Sequence, residues 1–220
     1  MLKRRFTIKR RTYFVLKTSV IAPFLFFSLV SAVFATSLPS RQVLQQGSHC
    51  VAWRTTKTLA LVSQHEVVGV SCQVSVTAKS AAGEKYSATV SIPINSFNSQ
   101  EADRDKEVLK ILKASVQPNL LFTTQAFSKA QWEALLAKGQ GTVKGRLAVG
   151  GRSFPLAAIV KIRKNGGSIE VYGTIRTRFT AFGIQPPEVG PGGAIAKVPD
   201  YLELHFNLTS DKVQNYGIVK

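Results

Sequence analysis

The chain has 220 residues and a formal net charge of +17, which leaves room for one domain or two very small ones. Its three histidines and two cysteines include no pair at metal-ligand spacing and no CxxC, which argues against a zinc site. The basic residues are scattered, with no block of five or six in the part that follows the leader, and are not interleaved with exposed aromatics. A nucleic-acid module is therefore the weakest reading.

The first 35 residues are set aside as a leader. Lys3, Arg4, Arg5, Lys9, Arg10, Arg11 and Lys17 form a basic segment without an acid, and Thr18 to Ala35 carries no charge. Val33-Phe34-Ala35 places small residues where a signal peptidase reads, so cleavage after Ala35 is expected. A transmembrane anchor is the competing reading, but the uncharged run is at the lower edge of a span and Pro23 interrupts it. Arg10-Arg11-Thr12-Tyr13 hints at a twin-arginine signal. The residues after it fit poorly, which leaves the general secretory route as the default. Removing the leader leaves residues 36–220 and lowers the charge from +17 to +10, since seven of the 29 basic residues and none of the 12 acids lie in it. A surface of that charge could attract anionic lipid headgroups.

The remaining chain is dominated by period-two alternation in short runs divided by turn residues, the mark of antiparallel strands. Eight runs are predicted, roughly 48–61, 67–78, 85–94, 119–127, 141–149, 153–164, 168–179 and 201–209. In the third, Tyr86, Ala88, Val90, Ile92 and Ile94 share a face; in the last, Leu202, Leu204, Phe206 and Leu208 oppose Glu203, His205 and Asn207. Ala82-Gly83, Gly150-Gly151 and Asn165-Gly166-Gly167 supply hairpin turns. The predicted fold is an all-β, eight-stranded antiparallel barrel with one or two short helices, because closure removes exposed edges. Eight strands enclose a lumen that side chains can fill or that can hold one small ligand.

Two segments depart from the strand pattern. Glu101 to Ala114 has apolar residues at helical spacing, acids at its start and lysines at its end. Ser128-Lys129-Ala130-Gln131 reads as a capping box opening a helix through Trp132, Leu135 and Leu136, stopped at Gly139. The loop from Gln185 to Pro199 is long and rich in proline and glycine.

Nothing in the chain resembles catalytic machinery, and no cofactor is expected. There is no GxSxG, HExxH or Walker loop. His205 falls on the polar face of its strand and is expected at the surface. Asp103-Arg104-Asp105 is better explained by helix capping and a local Arg–carboxylate pair. For Cys50 and Cys72, export favours a disulfide. Strand parity opposes it: Val68, Val70, Cys72, Val74 and Val76 are read as one dry face, whereas Val51 and Trp53 looking inward turn Cys50 outward. Parity thus predicts that the two are not bonded.

The stretch from Ser91 to Phe122 is more specific. It runs Ser-Ile-Pro-Ile-Asn-Ser-Phe-Asn-Ser, then Arg104-Asp105, Leu109 and Leu112, Pro118, and Leu120 with Phe122. This resembles the YceI-like family of polyisoprenoid-binding proteins. Gly141-Thr142-Val143-Lys144-Gly145-Arg146-Leu147 through Gly151 and Pro155-Leu156 is similar to its hairpin. Phe182-Gly183-Ile184, Gly192, Gly193, Val198, Asp200 and Leu204 are similar to its closing segment. The resemblance implies a periplasmic or secreted, lipocalin-like barrel that holds a long isoprenoid chain, such as a quinone tail. The N-terminal hairpin with Cys50 and Cys72 is less typical of the family.

A prenyl chain is held by apolar area alone, so the candidate ligand-binding positions are the predicted dry-face residues: Trp53, Val70, Val74, Val90, Ile92, Phe122, Leu147, Phe154, Leu156, Val171, Ile175, Phe179, Phe182, Leu204 and Phe206. Plain barrel core is the equal alternative at each. The implied partners are an apolar lipid and, transiently, an anionic membrane surface; a homodimer is compatible with the sequence. Rival readings are a non-binding secreted structural or stress-response module with a filled barrel, and an enzyme using His65, Asp103 or Arg104 at the mouth.

Overall fold

Alternating runs become strands because one face can be buried while the other stays wet. The computed structural model describes residues 42–60 and 62–216, so the expected leader and its cleavage site lie outside the described residues. In chain order the elements are β1 (Cys50–Leu59), β2 (Ser63–Ser71), β3 (Ser75–Ala81), β4 (Lys85–Pro93) and the helix α1 (Ala102–Ile111). Then come β5 (Asn119–Thr124), the short β6 (Phe127–Ser128), helix α2 (Lys129–Lys138), β7 (Gln140–Val149), β8 (Arg152–Asn165) and β9 (Ser168–Thr177). The short β10 (Glu188–Val189) and β11 (Ala196–Lys197) precede β12 (Leu202–Thr209) and β13 (Val213–Gln214).

The main strands pair antiparallel in the order β1-β12-β9-β8-β7-β5-β4-β3, and β2 pairs with the free side of β1. No ladder joins β2 to β3, so the hydrogen-bonded sheet is not a closed ring. The circuit is completed by the chain itself, because β2 and β3 are halves of one stretch that changes partner from β1 to β4. The eight runs read from the sequence are therefore the eight staves of this barrel, with 67–78 split in two.

That split overturns the parity argument about the cysteines. Val67, Gly69 and Ser71 of β2 oppose the inward-facing Thr55, Trp53 and Val51, so Val68, Val70 and Cys72 face outward. Across the break at residues 72–74 the parity inverts, and in β3 it is Val76 and Ala78 that are buried. A one-residue change in phase moves every side chain to the opposite face. Cys72 thus lies on the same outer face as Cys50, opposite it, and the two form a disulfide with Cα atoms 4.2 Å apart. The bond links β1 to the point where the strand changes partner.

The outer face of β1 and β12 is polar but buried. Arg54 and Glu203 are each 1% exposed and pair at 3.0 Å, with Glu66 and Arg176 completing the cluster. His205 is buried there rather than at the surface. Its Nε2 lies 3.1 Å from Glu203 Oε2 and its Nδ1 lies 3.0 Å from Thr174 Oγ1. Burial, together with the Arg54 and Arg176 charges, outweighs Glu203 and lowers the His205 pKa below its ordinary value. A neutral ring satisfies both contacts if Nε2–H donates to the carboxylate and Nδ1 accepts the hydroxyl proton. A strand's polar face was read as solvent-facing; here the polar groups are satisfied by one another instead. Glu170 is tied down in the same way by Gly47 N–H, the Asn207 amide and Arg163.

Both helices follow their sequence signals. In α2 the Ser128 hydroxyl accepts from Gln131 N–H and the Gln131 side chain accepts from Ser128 N–H. Gly139 ends it at φ 67°, a left-handed cap. In α1 the expected capping differs in detail. Asp105 accepts from the backbone N–H and the hydroxyl of Ser99, and Arg104 pairs with Glu101 at 2.9 Å.

Candidate ligand-binding site

The inward residues of the staves surround a cavity of about 460 Å³ with an almost entirely apolar lining. That falls within the range of about 300–1,000 Å³ usual for small-molecule sites. Of the fifteen dry-face residues read from the sequence, twelve line it: Trp53, Val90, Ile92, Phe122, Leu147, Leu156, Val171, Ile175, Phe179, Phe182, Leu204 and Phe206. Three do not. Val70 faces outward because of the parity inversion, and its backbone pairs with Asn98. Val74 sits in the break itself and packs at the edge of the core around Val51 and Val76. Phe154 is on the correct face, but Phe182 covers it edge-on, with ring centroids 5.8 Å apart.

What keeps this lumen open is where its large rings lie. Trp53 stands directly opposite Gly69, and Phe206 opposite Gly173. Phe122 lies against Gly145 of the adjacent strand. A Cβ at Gly69 would stand 2.5 Å from Trp53 Nε1, one at Gly173 2.7 Å from Phe206 Cζ, and one at Gly145 2.7 Å from Phe122 Cε2. Each ring occupies space against the wall that only a missing side chain provides. Rings that would otherwise fill the centre of an eight-stranded barrel are thus held at its perimeter. The Trp53 indole N–H is buried without a hydrogen-bond partner, so no polar contact holds the ring in place.

The strand pattern alone did not supply the ends of the cavity. At one end α1 contributes Arg104, Glu107, Val108, Ile111 and Leu112, joined by Lys57 from β1. At the other, α2 contributes Trp132 and Leu135, beside Tyr86, Phe127 and Tyr216. Trp132 and Leu135 sit one helical turn apart on a helix with no buried residue. An apolar stripe on a helix too short to have its own core was the available signal. His65 is not part of the site; it is exposed and contacts Ser63. Asp103 pairs with Lys106 on the outside of α1. Among the described residues no group of three His, Cys, Asp or Glu side chains could hold a metal, and no helix is long and apolar enough to cross a membrane.

The fold and cavity define an all-β protein of lipocalin-like architecture built around an apolar lumen. The profile of the YceI-like domain matches residues 46–210, and the chain belongs to that family. Among solved structures it is similar to BcnA of Burkholderia cenocepacia, with 18% identity over 74% of this chain and 96% of that one, at a TM-score of 0.53. It is also similar to a polyisoprenoid binding domain from Saccharophagus degradans implicated in plant cell wall breakdown (10% identity, 72% and 92% covered, TM-score 0.49). A YceI protein of Campylobacter jejuni gives 14% identity, 79% and 88% covered and a TM-score of 0.46. No curated protein matches the chain.

Proposed function

We propose that this protein is an exported, non-catalytic carrier that holds one apolar lipid of the isoprenoid type in its lumen. The observation that carries the reading is the open apolar cavity, with its aromatic rings laid on glycines. A polyprenyl chain or quinone tail has almost no hydrogen-bonding groups, so a wall without polar demands suits it, at roughly 25 cal/mol per Å² removed from water. Trp53, Phe122, Leu147, Ile175, Leu204 and Phe206 make the central contacts. The disulfide supports residence in an oxidising compartment, periplasmic or extracellular. The polar side chains at the α1 end are engaged with one another, Arg104 with Glu101 and Glu107 with Lys110, which suits binding better than acid–base chemistry.

Titration with a long-tailed quinone tests this. A quinone in the lumen lies against Trp53 and quenches its emission to a saturable one-to-one end point in a Trp132→Phe background. Quenching that rises linearly without saturation would show collisional contact only, and the carrier reading would fail.

A further inference from the structure

We propose that the α2 end of the barrel is a docking surface for an anionic lipid bilayer. The inference rests on the lipid-carrier reading and adds where the carrier meets its membrane.

Charge is distributed unequally between the two ends. At the α1 end, Lys57, Lys106, Lys110 and Lys197 each lie within 4.0 Å of a carboxylate, respectively Glu101, Asp103, Glu107 and Glu188. Glu66, Asp105 and Asp200 add negative charge there and Arg104, Lys113, Arg152 and Arg178 add positive charge, so cations and acids are close in number at this end. The α2 end differs. Lys129 and Lys138 are the first and last residues of α2, Lys85 opposes Ser128 at its entry, and Lys161 opposes Gln140 at its exit. Lys164 opposes Ile169 at the neighbouring hairpin. Lys212 follows Ser210, whose hydroxyl accepts from Ile169 N–H. All six lysines are exposed, and among the described residues none forms an ion pair. The acids at this end are Glu84, Glu133 and Asp211, too few to neutralise them; Glu170 is engaged by Arg163.

This ring of unpaired ammonium groups surrounds the helix whose Trp132 and Leu135 cover the lumen. Exposed lysines without partners are attracted to an anionic surface by long-range electrostatics, an attraction that fades within a Debye length and weakens with salt. Nucleic acid is a polyanion too, but this end offers it no exposed aromatic for stacking; its one tryptophan is turned to the lumen. Docking in this orientation places α2 between the bilayer and the cavity, where a lipid chain would enter or leave.

The test is vesicle flotation with protein purified from cells expressing the full chain. Vesicles of phosphatidylcholine containing phosphatidylglycerol are compared with phosphatidylcholine alone, so any contribution from the apolar leader appears in both. The wild type is expected to bind the anionic vesicles selectively and to be released as NaCl rises from about 0.05 M to about 0.5 M. The triple variant Lys129→Glu, Lys138→Glu, Lys164→Glu is expected to lose at least about a hundredfold in affinity. The matching Gln set should show a smaller loss, and Lys106→Glu, Lys110→Glu, Lys197→Glu at the other end should keep most of the binding. Equal losses from both Glu sets, no preference for anionic vesicles, or tighter binding of duplex DNA than of vesicles would overturn the proposal. Lipid extracted from the same preparations separates the two readings. A loaded lumen without docking contradicts this inference alone, and docking with an empty lumen contradicts only the carrier.

Discussion

Gly69 offers a direct test of whether the lumen has room to spare. Its φ lies outside the left-handed range, so alanine fits the backbone, and removing a glycine from the unfolded chain stabilises by about 0.4–1 kcal/mol. The added methyl group would stand 2.5 Å from Nε1 and Cζ2 of Trp53, and the three atoms nearest to it all belong to that ring. In a filled barrel the ring could not move, and such overpacking costs about 1–3 kcal/mol. In an open one the indole swings off the wall into the cavity. It gives up no hydrogen bond, since its N–H has none. Gly173 is the control, because a Cβ there meets the backbone carbonyl of Ile159 at 2.5 Å as well as Phe206, and a sheet carbonyl cannot swing aside. Thermal unfolding is expected to leave Gly69→Ala within about 4 °C of the wild type, with a lower lipid load. Gly173→Ala should fall distinctly further. If Gly69→Ala loses as much stability as Gly173→Ala, or keeps its full load, the open-lumen argument is wrong.

Ile175 lies mid-strand opposite Leu204 in the cavity wall. Ile175→Lys should cost several kcal/mol by burying an ammonium, whereas Ile175→Trp should stay folded and lose ligand, as read by urea unfolding and lipid content. Replacing both Cys50 and Cys72 by alanine should lower stability by about 3 kcal/mol on the chain-entropy account of a 22-residue separation. An unchanged urea midpoint would contradict the role of the bond at the strand junction. Burial lowers the pKa values of His49 and His205, so the unfolded chain takes up their protons first on acidification. The urea midpoint should be level above about pH 6.5 and fall as the pH drops below it. Glu203 reinforces the fall at lower pH. Burial pushes its pKa up, but the Tyr201 hydroxyl and the Arg54 and His205 charges outweigh this and hold it below the usual range. A midpoint that rises on acidification would refute this reading.

Much of this architecture was legible because period-two alternation survives in β4, β8, β9 and β12, where each residue's face follows from its neighbours. The alternation failed at residues 72–74. No glycine or proline marks that break, and the chain changes hydrogen-bonding partner between two runs that look like one. Every error about β2 followed from this, including the orientation of Val70 and the pairing of Cys72. The burial of His205 was hidden for a different reason. Glu203 shares its strand and face, but Arg54 and Thr174 come from strands distant in sequence, and only register brings them to the imidazole. The use of Gly69 and Gly173 as seats for Trp53 and Phe206 depends on cross-strand pairing, which no local pattern displays.

The central claim is that the lumen holds an isoprenoid lipid, and its most direct test is chemical. Protein purified from its native host, without added lipid, is extracted with organic solvent, and the extract is analysed by mass spectrometry. The account predicts one prenylated apolar molecule in near-stoichiometric amount, reduced in the Ile175→Trp variant. Extracts that contain no apolar molecule above the background of a non-binding protein handled identically would contradict it.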